Sequence, residues 1–173
     1  QRALASGLMV MGPDCGTAML GGVNLGFANR VPRGPVGVVG ASGTGIQEYT
    51  SLLARDGIGI THAIGTGGRD LSEAVGGVMT EFGLRVLASD PQTRILALIA
   101  KHPSEAVASR MHAVLKGLGK PVVVRYLGTT STHVQDGVTY AGTLDEAVAA
   151  TLRQVGSGVI TSLPTVGDEA ARI

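Results

Sequence analysis

The sequence has 173 residues, of which 44% are hydrophobic, and this is enough to bury one solid core. Its 14 basic and 13 acidic residues give a formal net charge of +1 with no run of like charge, which argues against nucleic acid or a membrane surface as a partner. A single cysteine, Cys15, excludes an internal disulfide framework, and the apolar runs are too short to cross a bilayer, so we expect a cytoplasmic protein.

The first half of the chain alternates apolar runs with amphipathic segments. It opens with "QRALASG", which we interpret as the end of a helix that feeds a short strand, "LMVM", and we expect further polypeptide before it. The run "GPVGVVG" predicts a buried strand, and the apolar spacing of Ile46, Tyr49 and Leu53 predicts the helix that follows. "GITHAIGTGG" predicts a second strand, and a further helix is expected from about Leu71 to Glu81.

The second half continues the alternation. "TRILALIA" and "PVVVRYLG" predict strands that are buried on both faces, and "VTYAGT" predicts a short edge strand. Between the first two lies a helix capped by Ser104 and stopped by Gly119, and "LDEAVAATLRQVG" predicts a last amphipathic helix. Helices between strands imply right-handed crossovers, so the fold class is α/β with a doubly wound, mostly parallel sheet.

The turn "ASGTG" joins the first buried strand to its helix. Ligands of such sheets bind beyond the carboxyl ends of the strands, where free amides and the helix dipole suit a phosphate or a carboxylate. The hydroxyls of Ser42 and Thr44 can donate as well, although either residue can equally be a plain helix N-cap. The turn lacks the lysine of a Walker loop and does not match G-x-G-x-x-G, so it gives little support to a kinase or an NAD enzyme.

Three motifs together resemble a known family. "GPDCGTAM", "VGVVGASGTGIQEY" and "AIGTGGRD" begin at Gly12, Val36 and Ala63 and follow one another in this order. The chain resembles the flavodoxin-like CoA-ligase domain of the succinyl-CoA synthetase α-subunit superfamily and, more closely, the FdrA-type acyl-CoA synthetase-like proteins. The resemblance implies that residues 1–30 end a preceding CoA-binding-like domain or form a connecting arm. Residues 31–173 are then the flavodoxin-like domain.

The resemblance also implies site residues. In succinyl-CoA synthetases the corresponding turn opens a helix whose N-terminus stabilises a phosphohistidine, while a preceding domain binds CoA. Carried over to this chain, the anion- or phosphate-binding residues are Ser42, Gly43, Thr44 and Gly45, with Gly65, Gly67 and Gly68 in the adjacent loop. No cofactor is certain, but phosphate or CoA and its nucleotide portion are possible ligands, and no metal site is predicted.

This sequence departs from the family at the phosphorylated histidine. The family's R-R/K-M-G-H-A-G-A stretch corresponds to "YLGTTSTHVQDGVTYAGT", whose His133 lacks the flanking Gly and Ala residues, so we expect an exposed loop histidine there. Lys101 stands where the family has the acidic residue that orients the phosphohistidine. We therefore expect the histidine phosphorelay to be lost, which leaves Lys101 and the adjacent His102 as candidate catalytic residues.

The resemblance implies a transferase subunit. FdrA-type proteins are associated with anaerobic purine and allantoin catabolism, where the implied activity is acyl or carbamoyl transfer to phosphate, as in oxamate carbamoyltransferase. Such chemistry needs donors for a phosphate and a developing oxyanion and requires neither a phosphohistidine nor a metal. Two alternatives stay open, a non-catalytic binding or scaffolding module and an NDP-forming acyl-CoA ligase. The expected partners are other subunits of a multi-subunit enzyme and a small-molecule substrate.

The remaining candidates have plain structural explanations. Cys15 beside a turn is more often a packing residue than a nucleophile. His62 in a strand and His112 in a helix have no partner at metal-ligand spacing. Asp70 follows the paired glycines, where it can cap the next helix.

Overall fold

The computed structural model of the protein describes residues 2–14 and 16–156, and within these ranges it has five α-helices and eight strands. In chain order they are α1 (Arg2–Ala5), β1 (Ala18–Leu20), β2 (Val23–Asn24), β3 (Arg33–Gly40), α2 (Gly43–Arg55), β4 (Ile60–Gly65), α3 (Val78–Ser89), β5 (Ile95–Lys101), α4 (Glu105–Leu115), β6 (Val122–Leu127), β7 (His133–Gln135), β8 (Val138–Tyr140) and α5 (Leu144–Gln154). None of the helices in these ranges has the length and apolar character needed to cross a membrane.

All eight strands belong to one sheet, in the order β2-β1-β4-β3-β5-β6-β8-β7. The five central strands, β4, β3, β5, β6 and β8, are parallel, whereas β1, β2 and β7 are antiparallel additions at the two edges. The parallel order is the flavodoxin order, in which the connections change face between the two strands that are first and third along the chain. That switch point lies between β3 and β5, and the predicted α/β, doubly wound, mostly parallel fold is confirmed.

Helices cover both faces of the sheet and bury two apolar layers. The face covered by α2 and α5, here called the α2 face, buries Ile46, Tyr49 and Leu53 together with Ile95, Ala97 and Ile99 of β5. The opposite face, called the α4 face, is covered by α3 and α4 and buries Leu84, Leu87, Met111, Leu96 and Leu98. Because β5 is buried on both sides, its run "ILALIA" is apolar at every position.

Three predicted elements were placed wrongly. The helix expected from about Leu71 to Glu81 is α3, Val78–Ser89, because Gly76 and Gly77 have φ values of 74° and 76° and end a turn before the helix can start. "LMVM" near the start is not a strand. "VTYAGT" contains a strand, but it is not the edge, because β7 pairs antiparallel with its outer side.

Gly40 brings the end of β3 close to β5. A Cβ atom at this position would lie 2.0 Å from the carbonyl oxygen of Ile99, so only glycine fits without moving the strand. The chain then turns through Ala41 and Ser42 into α2. This close approach sets the first turn of α2 over the carboxyl ends of the central strands.

Candidate functional site

The first turn of α2 has two free amides. Ser42 is the N-cap, and its hydroxyl accepts a hydrogen bond from the Gly45 amide at 3.3 Å, so the capping role is confirmed for this residue. Among the described residues, the amides of Gly43 and Thr44 have no acceptor. Both residues reach solvent, and the helix dipole adds partial positive charge at this end. Phosphate and carboxylate ligands bind at such amides.

Two cationic side chains share the face and the edge of the sheet where α2 begins. A Cβ atom at Gly45 would contact Ile99 of β5 at 3.1 Å and Leu127 of β6 at 3.3 Å, so the helix start lies over the carboxyl ends of these strands. Arg125 pairs in register with Ile99, and alternation along each strand puts Arg125 and Lys101 on this same α2 face. The positive end of the helix dipole and these two cationic side chains therefore lie at the same edge of the sheet.

Arg125 is a buried cation whose described hydrogen-bond partners are all uncharged. It is 9% exposed, and its Nη1 donates to the carbonyl oxygens of Tyr126 and Thr129 and to the Thr129 hydroxyl at 3.2 Å. Its Nε is buried and unpaired, and no described carboxylate forms an ion pair with it. Because burying an unpaired charge costs free energy, this side of the guanidinium is suited to an anion.

The adjacent glycine loop is held by backbone hydrogen bonds and by one close backbone approach. The Gly65 amide donates to the Thr17 carbonyl at 3.0 Å, so this amide is occupied. A Cβ atom at Gly67 would lie 2.3 Å from the Pro13 carbonyl oxygen, whereas one at Gly68 would meet open space. The loop lies at the same sheet edge as Ser42, since Gly65 pairs with Gly40, and its role in anion binding remains a prediction.

Asp70 occupies the start of the neighbouring helix α3. Its carboxylate, which is 6% exposed, accepts from the amides of Met79 at 3.0 Å and Thr80 at 2.8 Å and from the Thr80 hydroxyl at 2.6 Å. The predicted cap is confirmed, although it reaches over an intervening turn. Since α3 already has its own anion, its N-terminus is not available to a ligand in the way that the N-terminus of α2 is.

The two candidate catalytic residues lie on opposite faces of the sheet. Lys101 is the exposed last residue of β5 and lies on the α2 face. His102 follows it, and its ring meets the edge of Tyr126 on the α4 face at a centroid distance of 5.6 Å. They therefore belong to different sites.

His102 lines a cleft of about 430 Å³ on the α4 face, formed by α4, β6, β7 and β8. We call it the aromatic cleft, after the five rings that line it, His102, His112, Tyr126, His133 and Tyr140. His133 is exposed as predicted, but it lies in β7 rather than in a loop, and it stacks on Tyr140 at 4.8 Å. The Tyr126 hydroxyl is buried and has no hydrogen-bond partner among the described residues.

A relay of hydrogen bonds borders this cleft. His112 Nε2 lies 3.0 Å from the Asp136 carboxylate, and His112 Nδ1 lies 2.8 Å from the Tyr140 hydroxyl. The hydrogen bond from His112 lowers the pKa of Asp136, so the carboxylate stays ionised. Burial, followed by the Asp136 charge, raises the pKa of Tyr140 and keeps it a neutral phenol.

The other histidine considered above has a structural role. The Gly21 amide donates to His62 Nδ1 at 3.1 Å, and His62 Nε2 lies 3.5 Å from the Asp90 carboxylate. Within residues 2–14 and 16–156 no group of three or more metal-ligating side chains comes together. Cys15 lies outside the described residues.

The sequence analysis missed Arg125 and the two cleft tyrosines. Arg125 carried a visible signal, because it is a charged residue inside the apolar run "VVVRYL". The relay carried none, since Asp136 and Tyr140 are 24 and 28 residues from His112 and meet it only in the fold.

Comparison with known proteins gives relatives among CoA ligases. The protein called "Uncharacterized protein YahF" of Escherichia coli K12 is 47% identical over 154 residues, which is 88% of this chain and 30% of that protein. The ADP-forming sulfoacetate-CoA ligase subunit SauD of Bilophila wadsworthia is 32% identical over 138 residues, 75% of this chain and 45% of that protein. The succinate–CoA ligase [ADP-forming] subunit alpha 1 of Archaeoglobus fulgidus is 26% identical, over 95% of this chain and 58% of that protein. The chain thus spans about a third to just over half of the length of these relatives.

Solved structures share the fold at low sequence identity. ATP citrate lyase from Methanothrix soehngenii, solved with citrate and coenzyme A, has a TM-score of 0.73 and 17% identity over 98% of this chain and 35% of that chain. The dinucleotide-forming acetyl-coenzyme A synthetase 1 of Candidatus Korarchaeum cryptofilum, solved with phosphate and ADP, has a TM-score of 0.57 and 18% identity over 98% and 32%.

The family model named CoA binding domain matches residues 32–128. This range starts just before β3 and ends just after β6, so it includes the α2 turn, Lys101 and Arg125. The match covers more than half of the chain, and the ligase subunits named above agree with it. The chain therefore belongs to the CoA-binding domain family.

Proposed function

We propose that the chain is a subunit or domain of an NDP-forming type of acyl-CoA ligase, in which the start of α2 holds a phosphate or carboxylate group. The observation that carries the proposal is that the amides of Gly43 and Thr44 and the buried guanidinium of Arg125 lie on the same face and edge, and that none of them has an anionic partner among the described residues. A phosphate of CoA, inorganic phosphate or an acyl carboxylate can supply the missing negative charge.

The chemistry follows from the donors. Backbone amides fixed at a helix start are already oriented, so they stabilise charge that develops on a phosphoryl or acyl oxygen without reorganising. A guanidinium adds a planar fork that binds two oxygens of one anion. Lys101 adds an exposed positive charge that attracts the ligand to the site.

The proposed function does not include transfer of phosphate through a histidine. Lys101 has the wrong charge to orient an imidazolium, and His133 stacks on Tyr140 on the opposite face of the sheet. We expect no acid-labile phosphorylation of the protein after incubation with ATP and magnesium. Phosphate detected on His133 or His102 by mass spectrometry at neutral pH would contradict this part of the proposal.

Two other hypotheses use the same structure. Carbamoyl transfer to phosphate needs the same donors, but the relatives are named as CoA ligases and give it no support. This reaction stays a prediction, and so does the closer resemblance to FdrA-type proteins. A scaffolding module needs no ligand at α2. Because the named ligase relatives are subunits, we propose that partner subunits complete the enzyme. We also propose, from the family resemblance, that residues 1–30 end a preceding CoA-binding-like domain or form a connecting arm. Residues 31–173 are then the flavodoxin-like domain.

Phosphate binding tests the proposal. A ligand that binds only the folded protein at ten times its Kd raises the free energy of unfolding by about 1.4 kcal/mol, so phosphate is expected to raise the melting temperature saturably. Arg125→Lys keeps the charge but loses the fork, and we expect at least tenfold weaker binding. Arg153→Gln is the matched control, because Arg153 is exposed in the last turn of α5. A phosphate effect that is absent, or equal in all three proteins, would contradict the proposal.

A further inference from the structure

The aromatic cleft opens on the α4 face, opposite the α2 turn, and Thr129, which accepts from Arg125, borders it at the edge of the sheet. It has a volume of about 430 Å³, within the range of small-molecule sites. Its apolar lining includes Val124 and Ala108, and its polar lining includes Thr129 and Ser109. An apolar wall with a few convergent polar groups is the usual composition of a ligand pocket.

Tyr126 gives the second observation. The side chain is 6% exposed, and its hydroxyl is buried with no hydrogen-bond partner among the described residues. Its ring is fixed between His102, at 5.6 Å, and Tyr140, at 6.2 Å. A phenylalanine would pack equally well, so an unpaired hydroxyl at this point has a cost that a bound ligand would remove.

The relay determines what Tyr140 can offer. Asp136 accepts from His112 Nε2–H, so a neutral His112 presents the lone pair of Nδ1, and the Tyr140 hydroxyl donates to it. Tyr126 is a donor, because burial raises the pKa of its hydroxyl far above its ordinary value.

The charges of the cleft select the ligand. Its lining holds hydroxyls and imidazoles and, among residues 2–14 and 16–156, no carboxylate, while Asp136, which lies beside it, is already bonded to His112. A carboxylate ligand therefore finds donors and no competing acid, while a flat apolar body fits against the rings of Tyr126 and Tyr140.

We propose that the aromatic cleft is a second small-molecule site, which binds a small organic acid with its carboxylate at the Tyr126 hydroxyl and a flat body on the tyrosine rings. The proposal does not depend on the anion site at α2. It goes beyond the CoA-ligase assignment, because it adds a second pocket on the other face of the sheet.

Benzoate is a suitable probe, and calorimetric titration of the protein with benzoate is the test. We expect saturable binding that Tyr126→Phe weakens at least fivefold while the variant folds at least as stably as the wild type. Tyr49→Phe is the control, because it also removes a buried phenol hydroxyl, but on the α2 face, where it bonds Thr151 at 2.6 Å. This control loses stability and keeps the affinity for benzoate.

Four outcomes overturn the proposal. They are the absence of saturable benzoate binding, an affinity unchanged by Tyr126→Phe, an equal loss in Tyr49→Phe, and competition with phosphate. Phosphate does not compete with benzoate if the two sites are distinct, whereas competition would assign benzoate to the α2 turn. Benzoate is expected to bind Arg125→Lys as it binds the wild type. This result would separate the cleft site from the anion site of the proposed function.

Discussion

Removing the Asp70 carboxylate is expected to destabilise the protein far more than the loss of an ordinary helix cap. The carboxylate accepts three hydrogen bonds, at 2.6 to 3.0 Å, from Met79 and Thr80, and it is almost fully buried. Loss of a typical N-cap costs about 0.5 to 2 kcal/mol. Each bond to a charged group contributes about 1.5 to 3 kcal/mol, and Asp70→Ala also leaves buried donors unpaired. Because such contributions are not fully additive, we expect a total of about 3 to 5 kcal/mol.

Urea unfolding at neutral pH measures this loss, provided that the slope against denaturant is unchanged. Asp70→Asn keeps one acceptor oxygen, so we expect a smaller loss, about 2 kcal/mol. Glu73→Ala is the control from the same turn, because Glu73 is exposed, and its effect should stay within about 0.5 kcal/mol. The reasoning is refuted if Asp70→Ala loses no more than a surface cap would.

Three smaller effects follow from other contacts. Ser42→Ala removes the acceptor of the Gly45 amide, 3.3 Å away, and should lower the free energy of unfolding measured in urea by about 1 kcal/mol. An unchanged free energy of unfolding would contradict this. Burial opposes ionisation of Glu81, but hydrogen bonds from arginines, including Arg110 at 2.6 Å, outweigh it and lower the pKa of Glu81 below 4.5. The stabilisation by ionised Glu81 is present above pH 4.5 and is lost as the pH falls through the lowered pKa. The free energy of unfolding of the wild type should therefore exceed that of Glu81→Gln by up to about 1 kcal/mol at neutral pH, and this difference should shrink in acid. Urea melts at several pH values measure it. Tyr49→Phe should cost about 1 kcal/mol in thermal melts, and an unchanged melting temperature would refute this.

Local features of the fold were predictable from the sequence. The Ser42 turn and the Asp70 cap depend on neighbours in the chain and on where a strand meets a helix, and both are found. The start of α3 was misplaced because the backbone of Gly76 and Gly77 takes positive φ values that residue types alone do not dictate.

Features that depend on long-range pairing were not predictable. Lys101 and His102 are adjacent in the chain, but alternation at the end of β5 sends them to opposite faces. Arg125 stands out in the sequence as a charge in a buried strand, yet whether a carboxylate lies near it depends on every element packed around it. The Asp136–His112–Tyr140 relay requires α4, the β7–β8 turn and β8 to be assembled first.

Calorimetric titration with CoA tests the central claim most directly, which is that the start of α2 and Arg125 form an anion site of a CoA-ligase type of protein. The account predicts saturable CoA binding that phosphate weakens by competition, that Arg125→Lys reduces at least tenfold, and that Arg153→Gln leaves unchanged. No binding of CoA or phosphate, or equal affinities in the wild type and Arg125→Lys, would contradict it.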